Sequence, residues 1–537
     1  MASKRIVILG GGFGGVYAAR DLEKLFAPGE AEISLVNREN YFVFQPLLPE
    51  VISGSIGLTD TVAPIRRLLS RTNLYVREIE SVDLRRSIVT LAPGIRPRQL
   101  ELPYDYLVIA AGSATNFSGM SGLAEHAIPF RTLGDALRLR NRVLEALEEA
   151  DNEQDPGFRR RLLTFVVAGG GFSGVEAIAE LNDLLRGSAR HYRNIRPEEI
   201  QCVLVHSRDL ILQEMDPALA RYAQQLLVRR GVVLKLKARI AAATADSVVI
   251  RCGDSMETIP ARTLVSTVPA GPVPLVQSIE CKKDKGGRIL VNSMLEVAGY
   301  EGRVWALGDC AAITMSDGTD APPTAQHAIR EARTVAENIH ATAHGMATKA
   351  FLFPGLGKLG SLGLHSAVAE IFGVKISGFP AWLLWRAIYL MKMPGLDRKI
   401  RVGLDWMAGL LFPGDMVGLR VQASDNITSE HFEPGENIFA EGDFGDRLYV
   451  VRKGEVEVLR EGVRLAVLGA GDYFGEMALL ASRPRNATVR AVKPTDVLAV
   501  AKGDFSKLLA NFPELAAGLS DLATRRSGEE SSAQPGS

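Results

Sequence analysis

The same segment occurs twice in this chain, and nothing else in the sequence limits its architecture so strongly. RIVILGGGFGGVYAARDL (5–22) and TFVVAGGGFSGVEAIAEL (164–181) share GGGF, a further glycine, and Val, Ala and Leu in one register. Each reads as a short β-branched strand, a glycine turn and a helical pattern. That order is the context in which GxGxxG binds a dinucleotide. The glycines have separate duties. Gly10 and Gly169 permit the tight turn, Gly12 and Gly171 let the backbone approach a pyrophosphate, and Gly15 and Gly174 let helix pack closely on strand. The helix N-terminus then offers free amides and the positive end of its dipole to phosphates. Two such segments predict an α/β fold with two Rossmann-like dinucleotide-binding domains.

At 537 residues the chain is too long for one hydrophobic core, and several domains are expected. Lys plus Arg and Asp plus Glu number 62 each, so the formal net charge is zero and nucleic acid is not an expected partner. The four cysteines (Cys202, Cys252, Cys281, Cys310) stand far apart, without a CxxC pair. Neither a redox dithiol nor a metal site is suggested. MASKRIVILGGG runs straight into a strand, which leaves no room for a signal peptide. The best apolar run, FPAWLLWRAIYLM, is interrupted by Arg386, so no membrane span is expected.

Two further stretches tie the first glycine turn to a flavin. YDYLVIAAGSATN (104–116) is a buried-type strand ending in a turn at Gly112, and RVWALGDCA (303–311) is another, ending in Gly308-Asp309. Through residues 5–335 the chain resembles the two-dinucleotide-binding flavoprotein reductases. The resemblance implies FAD in the first unit, with Asp309 accepting hydrogen bonds from its ribityl chain, and NAD(P)H in the second. NYFVFQPLLPEVISG (40–54), PPTAQHAIREA (322–332) and GFPAWLLWRAIYL (378–390) narrow the resemblance to type II NADH dehydrogenases, over about residues 5–420. The cysteine pair of the disulfide reductases is absent. No cysteine follows Cys310, which disfavours sulfide:quinone chemistry.

In such an enzyme the cofactor carries the chemistry and the protein orients it, so few catalytic side chains are expected. Glu176 occupies the position of Tyr17 in the repeat, in the first turn of the second helix. The resemblance puts it near the nicotinamide and flavin; as a bare residue it reads as a helix N-terminal carboxylate stabilised by the dipole. The acids that usually grip the adenosine ribose are missing. The strand AEISLVN ends at Asn37, which can still accept a ribose hydrogen bond, and IQCVLVHSRD ends at His206 with Ser207 and Arg208 beside it. None of these repels a 2′-phosphate, so NADH versus NADPH is left open.

PPTAQHAIREA resembles the quinone-site segment of that family, which has two glutamines four residues apart. Gln326 matches the first, and Arg330 stands at the second. Both are candidates to donate to a quinone carbonyl; a soluble acceptor is the alternative. Trp382, Trp385, Trp406, Tyr389, Lys392, Arg398, Lys399 and Arg401 cluster in 379–412. Aromatic and basic residues among aliphatics suit a helix lying in a membrane interface. A buried helical pair or a homodimer interface is the alternative reading. The expected location is the cytoplasmic face of the cell membrane, held peripherally.

From about residue 423 short alternating segments punctuated by glycine predict a small β-roll. GDYFGEMALLASRPRNATV (471–489) resembles the phosphate-binding cassette of cyclic nucleotide-binding domains. The resemblance implies that Gly475 opens a helix facing a cyclic phosphate, Glu476 accepts the ribose 2′-OH and Arg485 holds the phosphate. Asn486 stands where such domains carry Ala for cAMP or Thr for cGMP, so the base is undecided. No aromatic follows Phe512 to cap a purine. Two helices are expected at 504–511 and 513–525, then a disordered tail.

The expected organisation is an FAD-binding domain at 1–120 plus 285–335, an NAD(P)H-binding domain at 121–284, an amphipathic membrane-associated segment at 336–422, a cyclic nucleotide-binding domain at 423–526 and a tail at 527–537. The expected activity is electron transfer from NADH or NADPH through FAD to a quinone, without proton pumping, set by cAMP or cGMP. The alternatives are a flavin reductase with a soluble acceptor and a signalling protein with an inert flavin half.

Overall fold

The computed structural model describes residues 3–94, 98–117, 120–267, 270–315, 317–409, 415–419, 427–432, 434–445, 447–481 and 484–502. The expected helices at 504–511 and 513–525 and the tail lie outside the described residues. The chain divides into two compact units, 1–88 with 103–420, and 89–102 with 421–537.

The sequence repeat of the first unit is also a repeat of sheets. One five-stranded parallel sheet runs Val304–Ala306, Tyr106–Ile109, Lys4–Leu9, Ala31–Asn37, Asn73–Val76. The other runs Ala127–Pro129, Thr263–Ser266, Thr164–Ala168, Gln201–Val205, Val232–Lys235, again parallel. The strand that leads into a glycine turn is central in both. Its continuous apolar run is buried, as expected for a parallel sheet covered on both faces. Helix Phe13–Leu25 follows the first turn and packs along helix Ala325–Ala343. Helix Phe172–Ala189 follows the second and is buried almost throughout, its polar residues Glu176, Glu180 and Asn182 included.

After the second dinucleotide half, the antiparallel strands Gly357–Ser361, Ala367–Ile371 and Val374–Gly378 form a small sheet. It leads into helices Phe379–Lys392 and Leu396–Ala408. Among the described residues no helix is long and apolar enough to cross a membrane.

The second unit carries two four-stranded antiparallel sheets. One orders Ile427–Phe432, Thr495–Ala501, Arg447–Lys453 and Tyr473–Phe474; the other orders Asn437–Phe439, Thr488–Ala491, Glu455–Arg460 and Val463–Gly469. Tyr449, Val451, Val456, Phe474, Val489, Val497 and Ala499 form its core. A short helix, Glu476–Ala481, interrupts the strands at FGEMALLA. The β-roll expected from glycine punctuation is this unit.

Candidate functional site

The two glycine turns have nearly the same geometry. Gly10 has φ +103° and Gly169 φ +116°, the left-handed region that favours glycine. A Cβ on Gly15 would lie 1.8 Å from the Gly10 carbonyl oxygen, and one on Gly174 would lie 1.9 Å from that of Gly169. Both positions admit only hydrogen if helix is to sit on strand. A Cβ on Gly12 or Gly171 would meet nothing within 4 Å. Those two glycines face open space, which is where a pyrophosphate needs the backbone bare.

A second correspondence was not legible beforehand. Asn37 accepts the Gly11 amide on Oδ1 at 2.8 Å, and its Nδ2 donates to the Glu39 carbonyl. His206, at the matching place in the second sheet, accepts the Gly170 amide on Nδ1 at 3.1 Å. Each side chain latches its own glycine turn. This use of His206 leaves the proton on Nε2, which is buried without a hydrogen-bond partner. Burial, with a smaller contribution from Arg208, lowers the imidazole pKa and keeps the ring neutral.

Phe13 and Phe172, the first residues of the helices that follow the two turns, line a cleft of about 970 Å³. Ser113, Arg131 and Asp309 line it in the first half. Ser113 donates its hydroxyl to Asp309 Oδ2 at 2.6 Å, and Arg131 pairs with the same oxygen at 3.4 Å and with Ser113 Oγ at 2.5 Å. Gly308 has φ +69° and donates its amide to the buried Glu331 carboxyl at 2.7 Å. Burial pushes Glu331 up to about 7, against the pull of that amide, and Asp309 adds to the rise. Gly112, at φ +67°, has nothing within 4 Å of where a Cβ would stand. A flavin dinucleotide fits this wall: bare glycines for its phosphates, an anchored carboxylate for hydroxyls, and a roomy cleft beside them. Arg131, Ser113 and Glu331 escaped the sequence reading, although Ser113 and Glu331 lie inside segments singled out there. Only the fold brings them to the Gly308-Asp309 turn.

Glu176 lines the same cleft and is buried. It is the fifth residue of its helix, one step beyond the first turn, and its Oε1 accepts the Ser361 amide at 2.9 Å. The dipole-stabilised carboxylate expected here is overturned. Burial outweighs the Ser361 amide and raises the pKa to about 8, with Glu50 adding to the rise. Tyr389 also lines the cleft, its phenol pushed up by burial and by Glu176.

Gln326 reaches the cleft and is held by backbone on both sides of its amide, donating to the Gly357 carbonyl at 3.2 Å and accepting the Leu356 amide at 3.3 Å. Arg330 departs from expectation. It is exposed, its guanidinium lies over the Phe353 ring at 5.5 Å, and it is not part of the cleft wall. Lys392 does line the cleft, as do Arg131, Arg288 and Lys358, and its pKa is lowered by burial and by repulsion from Arg330.

The three tryptophans of the C-terminal helices are not displayed to a membrane. Trp382, Trp385 and Trp406 are 5%, 1% and 7% exposed. Arg386 lies between two of them, 4.1 Å from the Trp382 ring and 4.5 Å from the Trp406 ring, and faces Glu50 at 3.7 Å. Arg398 pairs internally with Asp60 at 3.2 Å. Aromatic rings here enclose a buried ion pair, because a guanidinium stripped of water needs π faces and a carboxylate instead. Other apolar residues are exposed: Phe379, Leu383 and Met391 on one helix, at steps of four and eight, and Leu396, Ile400 and Leu404 on the next, at steps of four, followed by Met407.

In the second unit Glu476 and Arg485 are buried. Arg485 donates to the carbonyls of Gly475 and Arg447, both at 2.7 Å, and lies over the Phe439 ring at 4.1 Å. Gly475 has φ +89° and Asn486 is exposed. The four cassette residues are thus brought together.

Residues 4–332 match the family model described as pyridine nucleotide-disulphide oxidoreductase, 356–415 match the NDH2 C-terminal domain, and 429–512 match the cyclic nucleotide-binding domain. A type II NADH:quinone oxidoreductase of Mycobacterium tuberculosis is 31% identical over 445 residues, covering 79% of this chain and 90% of that protein. The demethylphylloquinone reductase of a Synechocystis strain is 31% identical over 411 residues, covering 76% and 96%. The solved structure of NDH2 from Plasmodium falciparum in complex with NADH shares the fold, with a TM-score of 0.72 at 18% identity, covering 77% of this chain and all of that one. With the doubled glycine turn, the shared cleft and these matches together, the chain belongs to the pyridine nucleotide-disulphide oxidoreductases and, within them, to the type II NADH:quinone oxidoreductases, with a cyclic nucleotide-binding domain at its C-terminal end.

Proposed function

We propose that this NADH dehydrogenase uses FAD to pass electrons from NADH to a membrane quinone, and that cyclic nucleotide binding sets its activity or location. The observation that carries the reading is the single cleft on which Asp309, Glu176 and Gln326 all open. Gly10, Gly12 and Gly15 with Asp309 and Gly112 hold the FAD, and Gly169, Gly171 and Gly174 hold the nicotinamide dinucleotide. Bound there, FAD would supply acceptance of the hydride and delivery of its electrons to the acceptor. Ser113 and Arg131 hold the Asp309 carboxyl at the cleft, and Glu331 fixes the turn that carries it. Gln326 and Lys392 face the quinone head, while Arg330 adds positive charge outside the wall. A neutral His206 gives no repulsion of a 2′-phosphate, so NADPH is discriminated only weakly.

The exposed stripes Phe379–Leu383–Met391 and Leu396–Ile400–Leu404 are the surface that meets the membrane, with Arg401 beside them. In the second unit a cyclic phosphate takes over Arg485 from the Gly475 and Arg447 carbonyls, and Glu476 receives the ribose hydroxyl. Steady-state oxidation of NADH and NADPH with a soluble quinone, with and without cAMP or cGMP, tests the whole reading. Reduction of dyes but of no quinone overturns the acceptor. Identical kinetics with and without nucleotide, together with unchanged vesicle binding, overturn the regulation.

A further inference from the structure

The stretch Asp415–Leu419 stands in the chain between helix Leu396–Ala408 of the first unit and strand Ile427–Phe432 of the second. It belongs to the first unit and lies on helix Leu133–Asn152. Asn141 of that helix meets the Leu419 peptide with both ends of its amide. Its Nδ2 donates to the Leu419 carbonyl at 2.6 Å, and its Oδ1 accepts the Leu419 N–H at 3.0 Å. Arg140, the residue before it, donates to the Asp415 carbonyl. Between these two anchors the Asp415 carboxylate accepts the Val417 amide at 2.9 Å and folds the stretch into a tight turn. The attachment is polar. Val417 and Leu419 are 56% and 48% exposed, so docking this strap removes little apolar surface from water.

The same helix supports the cleft at two places. Arg140 is 6% exposed, and it also donates to the carbonyls of Ile52 at 3.2 Å and Val51 at 3.4 Å. Those carbonyls end helix Leu48–Ser53, whose first residues, Leu48 and Pro49, line the cleft. Glu50 of that short helix faces Arg386 on helix Phe379–Lys392, and Lys392 lines the cleft as well. The short helix stops at Gly54, φ +70°, where a Cβ would stand 2.4 Å from Arg140 Nη1 and 2.8 Å from the Asp415 carbonyl oxygen. Strap, guanidinium and helix end therefore leave room for hydrogen alone. At the other end of Leu133–Asn152 the Asp135 carboxylate, part of a capping box with Thr132, accepts the Arg131 amide at 3.1 Å. Arg131 is the side chain that reaches Ser113 and Asp309.

We infer that the 415–419 strap is the switch through which nucleotide occupancy of the second unit reaches the acceptor side of the cleft. The inference rests on the cyclic nucleotide reading. Docked, the strap completes the shell of carbonyls around the Arg140 guanidinium and holds the end of helix Leu48–Ser53. Released, it leaves a buried cation one carbonyl short, and the helix that carries the cleft wall shifts to compensate. A few hydrogen bonds that water can replace separate the two forms. A nucleotide with a modest preference for one of them moves the balance.

The test uses the full-length, flavin-loaded enzyme, a soluble quinone, and cAMP and cGMP as probes. Saturating nucleotide is expected to change the quinone KM of wild type by roughly 5- to 150-fold, the span of ordinary allosteric coupling. Asn141 is not part of the cleft wall, and alanine suits its helix. Asn141→Ala frees the 419 end of the strap. It is expected to keep the wild-type kcat and to bind nucleotide by calorimetry, while the nucleotide-dependent change in quinone KM shrinks to within about twofold. Asn141→Asp keeps the acceptor for the Leu419 N–H and loses the donor, so it is expected to fall between. Hydrogen exchange of wild type is expected to show nucleotide altering the amides of 415–419 and 48–54 together. A KM change that survives whole in Asn141→Ala, or one that leaves the strap amides untouched in wild type, overturns the strap. Nucleotide that alters vesicle binding alone overturns it too and leaves the regulation reading standing. A wild type whose kinetics and vesicle binding no nucleotide alters overturns the regulation reading itself.

Discussion

Trp406 donates its indole N–H to the Glu50 carboxyl across 2.5 Å, joining the last described helix of the first unit to the PLLPEVISG segment. The indole is therefore a structural donor, and Trp406→Phe leaves a buried carboxyl short of a partner. The expected cost is about 1–3 kcal/mol of stability, read as a lower denaturant midpoint. Vesicle binding of the folded variant is expected to stay at the wild-type level. Weaker binding to vesicles with unchanged stability would return Trp406 to the membrane interface.

This relationship also marks where sequence reading stops. GxGxxG between strand and helix acts locally, so both turns and the roles of Gly15 and Gly174 were legible from spacing. The exposed stripe of 396, 400 and 404 was within reach of the same periodicity. The fate of the tryptophans was not. Aromatic and basic residues among aliphatics read alike whether the rings face lipid or enclose Arg386, and only Glu50, more than 300 positions away, decides. Asn37 and His206 show the same limit: Asn37 was read as a ribose hydrogen-bond acceptor and His206 only as a residue that does not repel a 2′-phosphate, and the bonds that strand register gives them to the Gly11 and Gly170 amides were not foreseen. Asp309 was found from the Gly-Asp pair, whereas Arg131 and Ser113 reach it from 178 and 196 positions away.

The second glycine turn separates ligand effects from folding effects. A Cβ at Gly171 meets no protein atom within 4 Å, so Gly171→Val is expected to fold, to keep its flavin, and to raise KM for NADH at least about tenfold by occupying the pyrophosphate approach. Gly174→Val drives its Cβ into the Gly169 carbonyl and is expected to lose soluble protein. Normal NADH kinetics in Gly171→Val would show that the second turn binds no dinucleotide.

The Asp309 carboxylate is set by two side chains, Ser113 and Arg131. Asp309→Ala is expected to purify with much less flavin than wild type. Ser113→Ala keeps the Arg131 pair and is expected to retain most of it. Flavin content after gel filtration, from the visible spectrum, is the measurement. A fully loaded Asp309→Ala protein contradicts the assigned role.

Glu176 and Glu180 give stability a pH dependence whose sign follows from burial. Their ordinary pKa is 4.5 and the folded values are about 8. Between those limits the native state holds protons that the unfolded chain has released. Stability from these groups is thus full below pH 4.5, declines as pH rises, and is gone above about 8. Each proton contributes a slope of up to about 1.4 kcal/mol per pH unit. Chemical denaturation of wild type and of Glu176→Gln/Glu180→Gln from pH 5 to 8 reads it directly, and the double variant is expected to show the shallower decline. Parallel slopes would place both acids in their ordinary range.

Arg485 has two duties that one substitution can separate. In the second unit its guanidinium bonds the Gly475 and Arg447 carbonyls and covers the Phe439 ring. Arg485→Ala therefore removes charge-assisted hydrogen bonds from a buried place and is expected to cost roughly 1.5–3 kcal/mol, seen by calorimetry. Arg485→Lys keeps a cation and part of the contact, so it is expected to recover some stability but little of the two-pronged phosphate grip. For a ligand that binds only the folded domain, a concentration a hundred times Kd adds about 2.7 kcal/mol. Wild type is expected to gain this from cAMP or cGMP, and Arg485→Ala to gain nothing. Regulation adds a stricter condition: if the nucleotide alters NADH or quinone affinity, the substrate must alter nucleotide affinity by the same factor. Titrating the nucleotide with and without saturating NAD⁺ measures that reciprocity. Equal Kd values in the two titrations would leave the domain a binding module without coupling to the nicotinamide site.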